Sequence, residues 1–134
     1  MNPIDEVKTR LRKYPNVKYE ITTSSITVLP SSEAGFTVRL DFASSRYTVS
    51  FNGWHEDFED ASETVDCFAF GLSDECRLKE YRRGSFAYRW AMESKQNGQW
   101  VADSETGLFL FPFWRRADVV YLQNNLISSD KPLT

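Results

Sequence analysis

The chain has 134 residues, of which 41% are apolar and 26% charged; that is long enough for one hydrophobic core without disulfide staples. No apolar run approaches the ~20 residues a helix needs to cross a bilayer. A net charge of −3 and a pI near 5.2 argue against a dedicated nucleic-acid binder.

The charge is unevenly placed. Residues 54–75 carry eight acids and no Lys or Arg, while the flanking segments are +2 and +3. The aromatic fraction of 15% implies a large core, a lined pocket or an aromatic contact surface. Residues 1–13 are charged and amphipathic, unlike the apolar stretch of a secretory leader. No Asn-X-Ser/Thr acceptor occurs, and Cys67 and Cys76 form neither a disulfide framework nor a metal spacing. Two reduced thiols suit a cytoplasmic protein.

In chain order, Asn2 is placed to cap a helix, Pro3 fits its first position, and Asp5 and Glu6 suit its N-terminal dipole. Ile4, Val7, Leu11 and Tyr14 recur at helical spacing, and Pro15-Asn16 ends the run. Val17, Tyr19 and Ile21 alternate, and residues 26–29 return after a turn at 22–25. Phe36, Val38, Leu40 and Phe42 alternate strictly with polar residues, and Tyr47, Val49 and Phe51 follow a turn at Ala43-Ser44-Ser45. These four strands have one wet face, so an antiparallel meander is expected. Asn52-Gly53 punctuates their end, and residues 54–60 read as a connector.

Asp60 and Glu63 have the spacing of a capping box, opening a second helix to about Ser73. Its stripe is Ala61, Val65, Phe68 and Leu72; Phe70 and Gly71 require a neighbour or a close approach. Residues 76–82 read as a strand. Phe86, Tyr88, Trp90 and Met92 then fall on every second position of another, which Asn97-Gly98 reverses. A two-residue loop would set Trp100 opposite Lys95. A three-residue loop with Gly98 as bulge would group Trp100 with Trp90 and Met92, and burial of both tryptophans favours it. The continuously apolar run 108–111 predicts a strand buried on both faces, stopped by Pro112. Residues 117–122 predict a last strand, with a helix through Val119, Leu122 and Leu126 as rival. Residues 128–134 form a polar tail.

The expected architecture is a single α+β domain over residues 1–134, its ordered core spanning 1–127. Two helices pack on a strongly twisted, mostly antiparallel sheet in the order helix, four strands, helix, four or five strands. At this level alone the order resembles that of bacterial secretion chaperones.

No nucleophile elbow, phosphate loop or dinucleotide fingerprint is present, and no cofactor is expected. His55 with Glu59 could hold a divalent metal if the segment were helical; an acidic lead-in to a helix N-terminus explains the same residues more simply. Cys67 and Cys76 lack an evident base. Asp103 and Glu105 could serve acid–base chemistry, but exposed strand acids are commoner than catalytic pairs. Arg77, Lys79, Arg82, Arg83 and Arg89 lie among Tyr81, Phe86 and Tyr88. Internal pairing with the acids of 54–75 is expected to account for them.

The reading that follows is a non-catalytic protein-interaction module of inhibitor, immunity-protein or chaperone type. The alternative is a binder of a small apolar ligand, and the second alternative is an enzyme without a recognisable motif. Partners are an unidentified protein or small apolar ligand, with no nucleic acid and no membrane. The candidate binding residues are Trp114, Arg115, Arg116, Arg82, Arg83, Glu56, Asp57 and Glu59; no catalytic or metal-ligating residue is assigned. Trp and Arg are the residue types most enriched in binding hot spots. The competing role for Trp114 is to fold back as a lid on the core, with its arginines reaching to solvent. A cavity beneath the sheet would favour a ligand. A closed core with an exposed Trp/Arg patch would favour a protein partner.

Overall fold

The computed structural model describes residues 2–127, so the polar tail at 128–134 lies outside the described residues. Helix α1 (Pro3–Leu11) starts where expected: the Asn2 side chain accepts from the N–H groups of Ile4 and Asp5. Strands β1 (Tyr19–Ile21), β2 (Ser25–Val28), β3 (Val38–Ala43), β4 (Arg46–Phe51) and β5 (Trp54–Phe58) follow as an antiparallel meander in that order. Helix α2 (Ala61–Leu72) is capped by Asp60, which accepts from the Glu63 N–H at 2.8 Å. Strands β6 (Cys76–Arg83), β7 (Phe86–Gln96), β8 (Gln99–Gly107) and β9 (Ala117–Leu122) form a second antiparallel sheet in the order β8-β7-β6-β9.

The fold is α+β with the predicted order of helices and strands. The strands divide into two sheets, of five and four, where one was expected. The fifth strand of the first half is the stretch read as a connector. Acids are disfavoured in central strands, but β5 is an edge, where charge protects against unwanted pairing. Trp54 is fully buried at its start.

The core is one continuous cluster. Ile4, Val7 and Leu11 of α1 and Val65, Phe68 and Leu72 of α2 meet Ile26, Val28, Val38, Leu40, Val49 and Phe51 of the first sheet. Leu78, Trp90, Met92 and Leu122 extend it onto the second sheet. Gly71 makes the close approach its sequence position called for: a Cβ there would lie 2.3 Å from the Phe51 ring. Among the described residues no helix is long and apolar enough to cross a membrane.

Three expectations about the second sheet are corrected. First, Gln96 pairs with Gln99 and Lys95 with Trp100, so Asn97-Gly98 is a two-residue turn, with φ +53° and +77°. The irregularity sits deeper, between Met92 and Glu93, where Met92 faces Ser104 and Glu93 faces Ala102. Trp100 therefore lies on the face of Glu93, with the Arg77 guanidinium 4.7 Å above its ring, and not beside Trp90. The burial argument fails because Arg77 covers this indole on the outer face. Gly98→Ala is expected to cost about 1 kcal/mol in urea unfolding, since a Cβ is forced to positive φ in otherwise open space.

Second, 108–111 is neither strand nor buried: Leu108, Phe109 and Leu110 are exposed. Third, Trp114 does not cap the core, because it too is exposed. For 117–122 strand wins over helix, and β9 pairs with β6 from Leu78↔Leu122 to Arg83↔Ala117.

Candidate binding site

The topology places the site. β8 and β9 lie on opposite sides of the β6–β7 hairpin, so the link between them must span three strand spacings, roughly 14 Å. It does so at the hairpin's turn end, beside Gly84-Ser85. The Leu108 N–H donates to the Tyr88 carbonyl at 2.7 Å, and the Gly84 N–H donates to the Arg116 carbonyl at 2.8 Å. Gly84 has φ +63°, and a Cβ there would lie 3.0 Å from Arg115 Cδ.

Between these ties Phe111 stacks on Tyr88, with ring centroids 4.2 Å apart and planes at 16°. Arg83 packs near both rings, and its Nη1 donates to the carbonyls of Phe113 (3.4 Å) and Arg115 (3.5 Å). Turns closed by Phe113 N–H to Phe111 O and by Arg115 N–H to Pro112 O fold the tip. The remaining apolar side chains point away: Phe109 is 98% exposed, Leu110 83%, Phe113 70% and Trp114 73%. They border an open groove of about 790 Å³ whose other walls are Phe86, Ser85, Arg83 and Arg115.

Of the residues singled out from sequence, Trp114, Arg115 and Arg83 line this groove. Arg116 joins through its backbone carbonyl. Arg82 is tied elsewhere, its guanidinium paired with the buried Glu80 carboxylate. Glu56, Asp57 and Glu59 are not brought to the groove. Glu56 and Asp57 lie on β5 of the other sheet, where Asp57 accepts from Thr48 Oγ1 at 2.7 Å, and Glu59 follows that strand.

The expected pairing of the 77–89 arginines with the acids of 54–75 is also corrected. Arg77 pairs with Glu93, Arg82 with Glu80 and Arg89 with Glu105, all within the second sheet. Each pair joins residues on the same strand or on neighbouring strands, which the ladder holds within reach of one another. Glu105 is thereby engaged by Arg89.

Sequence reasoning missed Phe86, Phe109 and Leu110 as groove residues. Phe86 was assigned to the inward stripe of β7. The β6–β7 ladder slips between Tyr81 and Arg82, however, and leaves Tyr88 unmatched. Side chains before the slip therefore change face relative to Trp90 and Met92. The signal that 108–111 is no ladder strand was present in its brackets, Gly107 and Pro112, neither of which favours a central strand.

Other candidates offer less chemistry. His55 belongs to a strand, so the helical spacing that would join it to Glu59 is absent. Both cysteines are free. Burial pushes the Cys67 thiol from its ordinary 9.0 up to about 12, with Glu56 adding to the shift, and burial raises Cys76 as well. Neither is a thiolate at neutral pH, as a nucleophile would need to be. The fold's stability is untouched by the Cys67 thiol below about pH 9 and falls as pH rises from there through about 12, because the unfolded thiol ionises first. At pH 8 a thiol-specific reagent is expected to leave the buried Cys76 unmodified in native protein, to label the half-buried Cys67 slowly, and to label both in urea; rapid native labelling of Cys76 would contradict its burial. No family model, curated protein or solved structure matches the chain.

Proposed function

We propose that this chain is a non-catalytic protein-interaction module that engages its partner through the 108–116 loop and the groove beside it. One observation carries the reading. The largest core side chains, Trp54, Phe36, Phe51 and Phe68, are fully enclosed, while Phe109, Leu110, Phe113 and Trp114 stand together in solvent beside arginines. A contiguous apolar patch outside a closed core marks a contact surface. Its aromatic and arginine composition is that of binding hot spots. Two reduced thiols fit a cytoplasmic setting.

The groove's volume falls in the range of small-ligand pockets. Such pockets enclose their ligand, whereas this one is more open than enclosed, which favours a macromolecular partner. Native mass spectrometry of protein purified from its own host tests the choice. A retained polypeptide is expected, and a retained small molecule would favour the ligand reading. Trp114→Ala should abolish retention yet shift the urea unfolding free energy by less than about 1 kcal/mol, since the side chain is exposed. A loss of about 3 kcal/mol or more would mean that Trp114 supports the fold instead.

A further inference from the structure

We infer that the groove beside the 108–116 loop receives an acidic polypeptide segment bearing large apolar side chains; this rests on the interaction-module reading above and names the partner's chemistry. No acidic residue lines the groove, whose charged walls are Arg83 and Arg115. Between Glu105 and Asp118 the chain has no Asp or Glu at all. Arg77, Arg82 and Arg89 of the same sheet each hold a carboxylate. Among the described residues, Arg115 and Arg116 hold none, and Arg83 Nε is buried without an acceptor. On a chain of net charge −3, the apolar patch is thus flanked by arginines that hold no carboxylate. Complementary charge sets orientation and on-rate, and apolar anchors supply the contact energy.

The surface is also built in advance. The Phe111–Tyr88 stack, the two backbone ties and the Arg83 bonds to loop carbonyls hold the loop without using the side chains of Phe109, Leu110, Phe113 or Trp114. Little ordering is left for the partner to drive.

Other occupants fit less well. A second copy docked loop to loop would set arginines against arginines. The chain's own acids are poor guests: Glu56, Asp57 and Glu59 flank Phe58, which packs against the core. A nucleic acid would add repulsion from the eight acids of 54–75.

A phage-displayed library of random dodecapeptides, panned on the full immobilised chain, tests the inference. Enriched peptides, fluorescein-labelled, are titrated by anisotropy. The proteins are the wild type, Trp114→Ala, the pair Arg115→Glu/Arg116→Glu, and the triple Glu56→Lys/Asp57→Lys/Glu59→Lys. Enriched peptides should join Asp or Glu to Trp, Phe or Leu. Binding should weaken about tenfold or more in the first two variants, and should hold or tighten in the third. It should also weaken as salt rises from roughly 50 to 500 mM. Neutral or basic peptides that still depend on Trp114 would overturn the acidic partner while leaving the interaction reading intact. Peptides that bind Trp114→Ala as well as wild type would overturn both. So would a panning that enriches nothing, and flotation of the protein on phosphatidylcholine/phosphatidylserine vesicles would then name a lipid surface as the occupant.

Discussion

Trp54→Ala is expected to lower the unfolding free energy by about 3–5 kcal/mol, among the largest effects of any single truncation in this chain. The side chain is fully buried and stacks on Phe51, with centroids 4.6 Å apart at 27°. Its Nε1–H donates to Ser104 Oγ on β8 at 2.9 Å. Trp54 therefore fills the first sheet's core and bonds to the second sheet. Removing it opens a cavity and deletes the Ser104 bond, while the His55 N–H to Thr106 Oγ1 bond at 3.3 Å remains at that junction. Trp54→Phe keeps most of the volume and loses the hydrogen bond, so it should cost only about 1–2 kcal/mol. Equilibrium urea unfolding of the two variants separates packing from bonding. Equal losses would mean that the indole N–H, not the ring, dominates.

Glu80→Ala is expected to cost about 3 kcal/mol, because it leaves partners stranded. Glu80 is buried on β6. Its Oε1 accepts from Trp90 Nε1–H at 2.8 Å and from Asn52 at 3.5 Å, and its Oε2 accepts from Arg82 Nε at 2.7 Å. Truncation removes the acceptor for the buried indole and leaves Arg82 without its counter-charge. Arg82 is partly exposed, so water recovers some of that second loss. Glu80→Gln retains an acceptor for Trp90 and should cost less, about 1–2 kcal/mol. If the two variants lose equally, the charge outweighs the indole bond. The same network explains Gly53: a Cβ there would lie 2.3 Å from the Trp90 ring that Glu80 holds in place.

Both effects concern residues whose neighbours come from distant parts of the chain, and that distance marks what sequence reading could and could not reach. The caps at Asn2 and Asp60 were legible because a cap bonds to N–H groups two or three residues away. The buried stripes of α1 and α2 and the alternation of Val38 and Leu40 were legible because burial repeats with the local backbone period. β5 was not legible: its acids read as a loop, and only its position at the sheet's edge makes them acceptable. Nor was the register of the β7–β8 hairpin, where Trp100 finds cover from Arg77 two strands away instead of from Trp90.

The candidate site divides the same way. Trp114, Arg115 and Arg116 were recognisable as binding residue types from the sequence alone. The run 108–111 was read as buried because apolar composition reports a preference for burial, not whether the fold grants it. The sequence by itself determined the α+β class, both helices with their N-caps, and the chemistry of the Trp/Arg stretch, since each depends on a few adjacent residues. Only the tertiary structure decided that β9 would pair with β6, on the far side from β8. That choice carries the link past the turn of the hairpin and leaves Phe109, Leu110, Phe113 and Trp114 in solvent. Strand order is set by competition among long-range pairings, whose cost and reward no local window contains.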